Sequence, residues 1–332
     1  MNFNIKNNQQ IFNWAIALTQ AQNYQDLTID FLEVLKELPE VENVEAFEVH
    51  GGRQRRASEF NQFTEQLVRR FPLDFTSTQA ENDIGWLDDF EQAVAVKVVQ
   101  VNSVESEYLI PIKGSVGPER AIIIHGTLSE ETLFVISNLL KIYQNQVILH
   151  DAKERDVLTQ LLNRQSFETR LVQVCEYFQQ HDVPEKHSWI AMLDIDHFKR
   201  VNDDFGHLYG DEVLLIFSQL MEKRFRYNDF LFRFGGEEFV VILNLAERSD
   251  AEIAFNAFRE LIAGHDFPTV GKVTVSIGVE QIGAKGMPTT LLDRADQGLY
   301  HAKENGRNKV VFYSEIASEL ENTEVFDDIE LF

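Results

Sequence analysis

Gly235-Gly236-Glu237-Glu238-Phe239 stands between two apolar runs, Phe230-Leu231-Phe232-Arg233-Phe234 and Val240-Val241-Ile242-Leu243, and few structures satisfy that arrangement. It reads as a β-hairpin whose two-residue Gly-Gly turn is followed at once by paired carboxylates. Glycine suits both central positions of a tight hairpin turn because positive φ costs it nothing. Strand geometry then aims Glu237 and Glu238 at opposite faces of a sheet. An open turn beside fixed acids is what metal-assisted phosphate chemistry needs. By itself the five-residue string also fits an ordinary charged hairpin.

Ordered companions decide between these. Asp156-Val157-Leu158-Thr159-Gln160-Leu161-Leu162-Asn163-Arg164 comes first, then Ala191-Met192-Leu193-Asp194-Ile195-Asp196-His197-Phe198-Lys199. Asn202-Asp203, Gly206-His207 and Gly210-Asp211 follow before the hairpin. After it stand Thr274-Val275-Ser276-Ile277-Gly278-Val279, Ala295-Asp296, Leu299-Tyr300, Ala302-Lys303 and Gly306-Arg307-Asn308. Over residues 153–314 this set resembles the GGDEF family of diguanylate cyclases, in a Gly-Gly-Glu-Glu-Phe spelling.

The resemblance implies a palm-like, mostly antiparallel sheet flanked by helices, an α+β form of the α/β class. It implies a Mg²⁺ (or Mn²⁺) site from Asp194, the Ile195 carbonyl and Glu237, with Glu237 and then Glu238 as proton acceptor. It implies substrate contacts at Phe198, Lys199, Asn202, His207, Asp211, Lys303 and Arg307. A carboxylate at Asp211 accepts from both N1–H and N2 of guanine, which adenine cannot match. N-capping of the following helix is the structural alternative for Asp211. Lys303 and Arg307, four apart, share a helical face. The reaction implied joins two GTP molecules into cyclic di-GMP, releasing two pyrophosphates across a homodimer. Arg226-Tyr227-Asn228-Asp229, just before the hairpin, matches the family's product-inhibition motif, and Arg259 matches its additional arginine. The alternatives are an inactive cyclic di-GMP receptor, or a cyclase making a mixed or adenine dinucleotide. Gly298 stands where the family usually has alanine, at a cost of about 1 kcal/mol in helix propensity.

Length and composition set the frame. The 332 residues suggest two domains, each able to bury a core. A net charge of −24 argues against nucleic-acid polymers and anionic membranes as partners. No apolar run approaches the ~18–20 residues that span a bilayer. The start of the chain lacks a signal-peptide apolar core, so a cytoplasmic protein is expected. Cys175 is the only cysteine, expected to be a small buried apolar residue.

Residues 1–127 read as a GAF-like α/β sensory domain with PAS as the other candidate, its signal unreadable. Helices are expected at Gln10–Gln22, Tyr24–Leu38 and Glu59–Phe71. Strands are expected at Val44–Val49, Ala93–Val101, Ser106–Ile112 and Arg120–Ile124. Residues 128–155 read as a linker helix, started by Thr127-Leu128-Ser129-Glu130. Its Leu133, Ile136, Leu140, Tyr143 and Val147 form a candidate coiled-coil seam for dimerisation. An amphipathic helix packed on its own domain is the alternative. In the catalytic domain, 156–314, strands are expected at Ser188–Ile195, Phe230–Phe234, Glu237–Leu243, Lys272–Gln281 and Lys309–Tyr313. Helices there are expected at Arg164–Gln180, Gly210–Phe225, Ala251–Ala263 and Pro288–Asn305. Residues 315–332 read as a mobile or loosely docked acidic tail.

Overall fold

Two separate hydrophobic cores divide the chain at Glu154/Arg155, and each half is a compact unit. The computed structural model describes residues 5–50, 67–71, 86–93, 97–100, 106–113, 118–180, 186–226, 228–283 and 286–318.

The first unit runs α1 (Ile5–Gln20), α2 (Tyr24–Lys36), β1 (Val41–His50), β2 (Leu67–Phe71), α3 (Leu87–Gln92), β3 (Lys97–Gln100), β4 (Ser106–Ile112), β5 (Glu119–Gly126) and α4 (Glu130–Lys153). Its antiparallel sheet has the order β2-β1-β5-β4-β3. One face carries α1, α2 and α4, and the other is covered by Trp86 and Phe90 around α3. Residues 67–71 are a strand pairing with β1, not the end of the expected helix Glu59–Phe71. Leu67-Val68-Arg69-Arg70-Phe71 takes the edge place beside β1, with Phe71 buried, and residues 59–66 lie outside the described residues. Of the strand expected over Ala93–Val101, Lys97–Gln100 forms β3 and Ala93 is instead the C-cap of α3, while residues 94–96 and 101 lie outside the described residues.

The expected seam on α4 is filled from within the same unit. Ile136, Leu140, Tyr143 and Val147 are buried in one cluster with Leu27, Phe31 and Leu35 of α2, and Leu133 packs against it. Tyr143 stacks on Phe31 at 4.4 Å between ring centroids, and its hydroxyl lies 2.9 Å from Thr28 Oγ1. Near the end of α4, Asp151 takes a buried bidentate ion pair from Arg120 at 2.8 and 2.6 Å. That guanidinium also lies 4.0 Å from the Tyr24 ring. A repeat of three and four places apolar residues on one helical stripe whichever surface they meet, and here the partner is the helix's own domain. The coiled-coil reading is therefore corrected, and α4 belongs to the first unit. Ser129 is its N-cap, accepting from Thr132 N at 3.3 Å.

The second unit runs β6 (Leu162–Asn163), α5 (Arg164–Gln180), β7 (His187–Ile195), α6 (Phe198–Phe205), α7 (His207–Arg224), β8 (Phe230–Gly235), β9 (Glu238–Ala246), α8 (Arg248–Gly264), β10 (Val275–Ile282), α9 (Pro288–Glu304) and β11 (Val310–Phe312). The strand order is β11-β10-β7-β9-β8-β6, antiparallel except where β11 meets β10 and β6 meets β8. β7 is central, which explains its unbroken apolar run. Leu193, Val241, Ile277 and Val279 face a core shared with α7 and α8. The alternate residues face α9, which comes so near that a Cβ on Gly278 would lie 2.0 Å from Leu299 N. Gly298 supplies the other half of this approach, for a Cβ there would stand 3.1 Å from Gly278 Cα.

Cys175 is buried on α5, and burial pushes its thiol up to about 11. The expected tail starts as an ordered segment, because residues 313–318 are helical and Ile316 is buried. Arg248 holds that segment through Ser314 Oγ at 2.9 Å and Glu315 Oε1 at 2.5 Å. Residues 319–332 lie outside the described residues. No described helix is long and apolar enough to cross a membrane.

Candidate active site

Asp194 is the penultimate residue of β7, and its direct neighbours are Ser276 on β10 and Glu238 on β9. Residues opposed across an antiparallel pair share a face, so these three point to the α9 side. From the last turn of α9, Lys303 Nζ reaches Asp194 Oδ2 at 2.8 Å. Burial raises the Asp194 carboxyl above its ordinary range; Lys303 pulls it back, while Glu237 and Glu238 add to the rise. A desolvated acid already facing two more acids gains from a second, stronger cation.

The hairpin turn differs from expectation by one residue. Gly235 closes β8 and pairs with Glu238, so Gly236 and Glu237 occupy the turn. A register irregularity between Arg233 and Gly235 takes up the offset. Only Gly236 needs glycine's freedom, at φ +39° with open space around it. Glu237 thus projects from the turn, not from a strand, while its carbonyl meets Ile195 N at 3.4 Å.

Arg233 locks this turn, a role that the sequence reading missed. Its Nε and Nη2 donate to Gly236 O at 3.1 and 2.9 Å, and its Nη1 to Asp156 Oδ1 at 3.0 Å. A charged residue inside a Phe-rich strand was the available signal. The carboxylate of Asp156 also accepts from Thr159 N and Oγ1, each at 2.8 Å. Those bonds and Arg233 hold its carboxyl below the usual range against partial burial.

Among the residues expected around the nucleoside, Phe198 is buried, as is Leu214 nearby, while Lys199, His207 and Asp211 are exposed. The helix expected from Gly210 starts at His207, with Gly206 before it, and α6 precedes it as a separate helix. Asp211 is therefore inside α7 and caps nothing, which removes its structural alternative. Asn202 leans over Gly210, where a Cβ would stand 2.0 Å from Asn202 Oδ1. That close approach gathers Asn202 with the first turns of α7. Arg307 does not share a helical face with Lys303 as expected, because α9 ends at Glu304 and Gly306, Arg307 and Asn308 turn back through positive φ values of 101°, 60° and 46°.

Asp229 is buried, and its two oxygens accept from Asn244 N at 3.0 Å and Arg226 N at 2.8 Å. Burial pushes its carboxyl up to about 6 despite those bonds. The Arg226 side chain is exposed, and Tyr227 lies outside the described residues. Arg224, which the sequence reading passed over, adds a second guanidinium; burial and then Arg226 lower its pKa. Two like charges so close favour an anion between them. Arg259 bonds elsewhere, to Asn308 Oδ1 at 3.3 Å, Asn256 Oδ1 at 3.4 Å and Glu260 Oε1 at 3.0 Å. Its contacts among the described residues therefore lead to the active-site turn and not to the Arg226 turn.

Residues 153–309 match the profile of the family described as diguanylate cyclase, GGDEF domain. This half of the chain is a GGDEF domain. Diguanylate cyclase DgcP of Pseudomonas aeruginosa is 39% identical over 173 residues, covering 49% of this chain and 25% of that protein. Response regulator PleD of Caulobacter vibrioides is 43% identical over 126 residues, covering 36% of this chain and 28% of its own length. The chain thus spans about a quarter of either relative. The crystal structure of the coiled coil and GGDEF domain of DgcB from Caulobacter crescentus, in complex with c-di-GMP, matches with a TM-score of 0.50. It is 26% identical and covers 55% of this chain and 97% of that one. The GGDEF domain supplies the fold, and the activity rests on the site.

Proposed function

We propose that the protein is a diguanylate cyclase, condensing two GTP into cyclic di-GMP and two pyrophosphates. The observation that carries this is the Lys303–Asp194 ion pair at the end of β7, beside the Gly236-Glu237 turn. It joins a phosphate-seeking cation to an acid cluster that keeps an unneutralised negative charge.

Asp194, Glu237 and the Ile195 carbonyl would hold Mg²⁺ or Mn²⁺. Among the described residues no group of three or more His, Cys, Asp and Glu side chains forms a metal cage. The donor set fits Mg²⁺, which usually takes one or two carboxylates and completes its shell with water and phosphate. When bound, the ion polarises the phosphoryl group and acidifies the attacking hydroxyl. Lys303 and Arg307 offset triphosphate charge, which this acidic chain otherwise repels. Lys199 adds a third cation from α6. Asp211 and Asn202 select guanine, and His207 lies one helical turn before Asp211. The 3′-oxygen of one nucleotide bonds to the α-phosphorus of the other as the bond to pyrophosphate breaks. Glu237, with Glu238 second, receives the hydroxyl proton.

One GGDEF domain holds one GTP, so two copies must meet for reaction. Product binds at Arg226 and Asp229 and slows turnover, with Arg226 as the exposed reader of phosphate or guanine. Arg259 takes part through its contact with Asn308. The first unit, with its own core and the buried Arg120–Asp151 pair at the end of α4, is suited to a GAF-like regulatory role.

The test is incubation of the full chain with GTP and Mg²⁺, followed by chromatography of the nucleotides. Cyclic di-GMP with two equivalents of pyrophosphate is expected. Unchanged GTP with tight cyclic di-GMP binding would replace this reading with that of a receptor.

A further inference from the structure

Asp196 is a buried carboxylate with no ion pair among the described residues, satisfied by three donors from two segments, the start of β10 and the turn after α9. Ser276 Oγ donates to Oδ1 at 2.7 Å, and Thr274 Oγ1 to Oδ2 at 2.7 Å. The third donor is the backbone N–H of Asn308, 3.0 Å from Oδ2. Asp196 N in turn donates to Thr274 O at 2.9 Å, so residue and loop are fixed to the same strand end.

Asn308 closes the left-handed run that begins at Gly306. Arg307 and Asn308 both hold positive φ without being glycine, a conformation that side chains disfavour and that persists only when the surroundings impose it. Two bonds impose it from the protein side. Arg307 N is held by Ala302 O at 3.0 Å, and Asn308 N by Asp196. A carboxylate with three donors is an anchor whose loss leaves an amide and two hydroxyls without their acceptor.

We propose that Asp196 is a positioning residue for the triphosphate: it fixes the amide of Asn308 and thereby the direction in which Arg307 is presented. This rests on the reading that Arg307 and Lys303 hold the phosphates of GTP. Both oxygens of Asp196 already accept from the protein, so its role is support and not contact with substrate or metal. A charged group at this position is used because a carboxylate accepts all three bonds, whereas an amide has one acceptor oxygen. Asn308 also receives Arg259 at its side-chain oxygen, so a ligand drawing on Arg259 acts on the same turn.

The experiment is a double-mutant cycle on the full chain, with GTP and Mg²⁺ as the probe. Asp196→Asn should raise KM for GTP about tenfold while kcat stays within about threefold, because only orientation of a binding group is lost. Arg307→Ala should raise KM to a similar degree, and the double variant should be no worse than the larger single effect. Amide exchange at Asn308 in the nucleotide-free protein should quicken in Asp196→Asn, with the β7 and β10 amides still protected. Multiplying effects, or a loss of kcat at constant KM, would overturn the proposal. If Arg307→Ala leaves KM unchanged, the phosphate reading has failed and takes the proposal with it. If Arg307→Ala raises KM and Asp196→Asn does not, the proposal alone has failed. Should Asp196→Asn not fold, Thr274→Val removes one donor at the same oxygen. It should then give a smaller KM rise in the same direction, and an unchanged KM would count against the proposal.

Discussion

Lys303 Nζ and Asp194 Oδ2 lie 2.8 Å apart, so a cation on α9 meets an acid on the central strand at the place where the hairpin turns. The pair holds both groups in the chemistry before substrate arrives. Lys303→Ala should raise KM for GTP by about tenfold or more, since a charge-assisted contact to phosphate is lost. The side chain is about a third exposed, so the fold should survive. Lys303→Arg should recover only part, because the guanidinium fork is not an ammonium point charge. A wild-type KM in Lys303→Ala would make the ion pair purely structural.

Carboxylate removal tests the metal assignment. Asp194→Asn and Glu237→Gln should each abolish cyclic di-GMP formation with thermal unfolding little changed, and EDTA should do the same to the wild type. Turnover at the wild-type rate in either variant would remove that residue from the metal site.

Product control gives a cleaner contrast between two neighbours. Arg226→Ala should weaken cyclic di-GMP inhibition with the initial rate unchanged, for its side chain is exposed. Asp229→Ala should also destabilise the domain by about 1–3 kcal/mol, because two backbone amides lose their buried acceptor. Identical inhibition curves for wild type and Arg226→Ala would leave the turn with a structural role only.

Asp229 also makes stability depend on pH. Its carboxyl sits at about 6 in the fold, against about 3.9 when unfolded. A raised value means that its contribution is complete below about pH 4 and is lost as pH rises through about 6. The stability of wild type relative to Asp229→Asn should therefore fall between pH 4 and pH 7, by on the order of 3 kcal/mol at most. Urea unfolding of both proteins across that range measures it, and a constant difference would refute the assignment.

Leu140 distinguishes an internal seam from an external one. Leu140→Glu should destabilise the first unit by more than about 3 kcal/mol, through lost packing and a buried charge. The loss should be the same at every protein concentration. A variant with wild-type unfolding that dissociates on dilution would restore the coiled-coil reading.

The strings that carry Asp194, Glu238 and Lys303 were legible because each is short and ordered, and the structure brings those three residues to one end of β7. The strands β7, β9 and β10 announced themselves by apolar runs, and α5 and α9 by helical spacing. What escaped was geometry that periodicity does not encode. The alternation of Leu133, Ile136 and Leu140 defines a stripe but not the surface that it meets. Gly235-Gly236 marks a turn but not which two residues occupy its centre, which the irregularity after Arg233 decides. Nothing local in the sequence marks out Asp196, because its three donors are far away, at 274, 276 and 308. Residues 67–71 looked helical when read with the stretch before them, and pairing with β1 settled them as a strand.

Gly278 and Gly298 leave no side chain between β10 and α9, so main chain rests on main chain. Lys303 lies further along that same helix. Its height above Asp194 is thus measured from the backbone, not from the sizes of core residues that substitution constantly changes. The surrounding interior is free to drift through many combinations of Leu, Ile, Val and Phe while the ammonium keeps its station. Variation in such a lineage should accumulate in the packing and stop at Gly278, where a Cβ would lie 2.0 Å from Leu299 N. A methyl group at Gly278 would lift the helix and carry the cation away from its acid, spoiling function at a distance from any reacting atom.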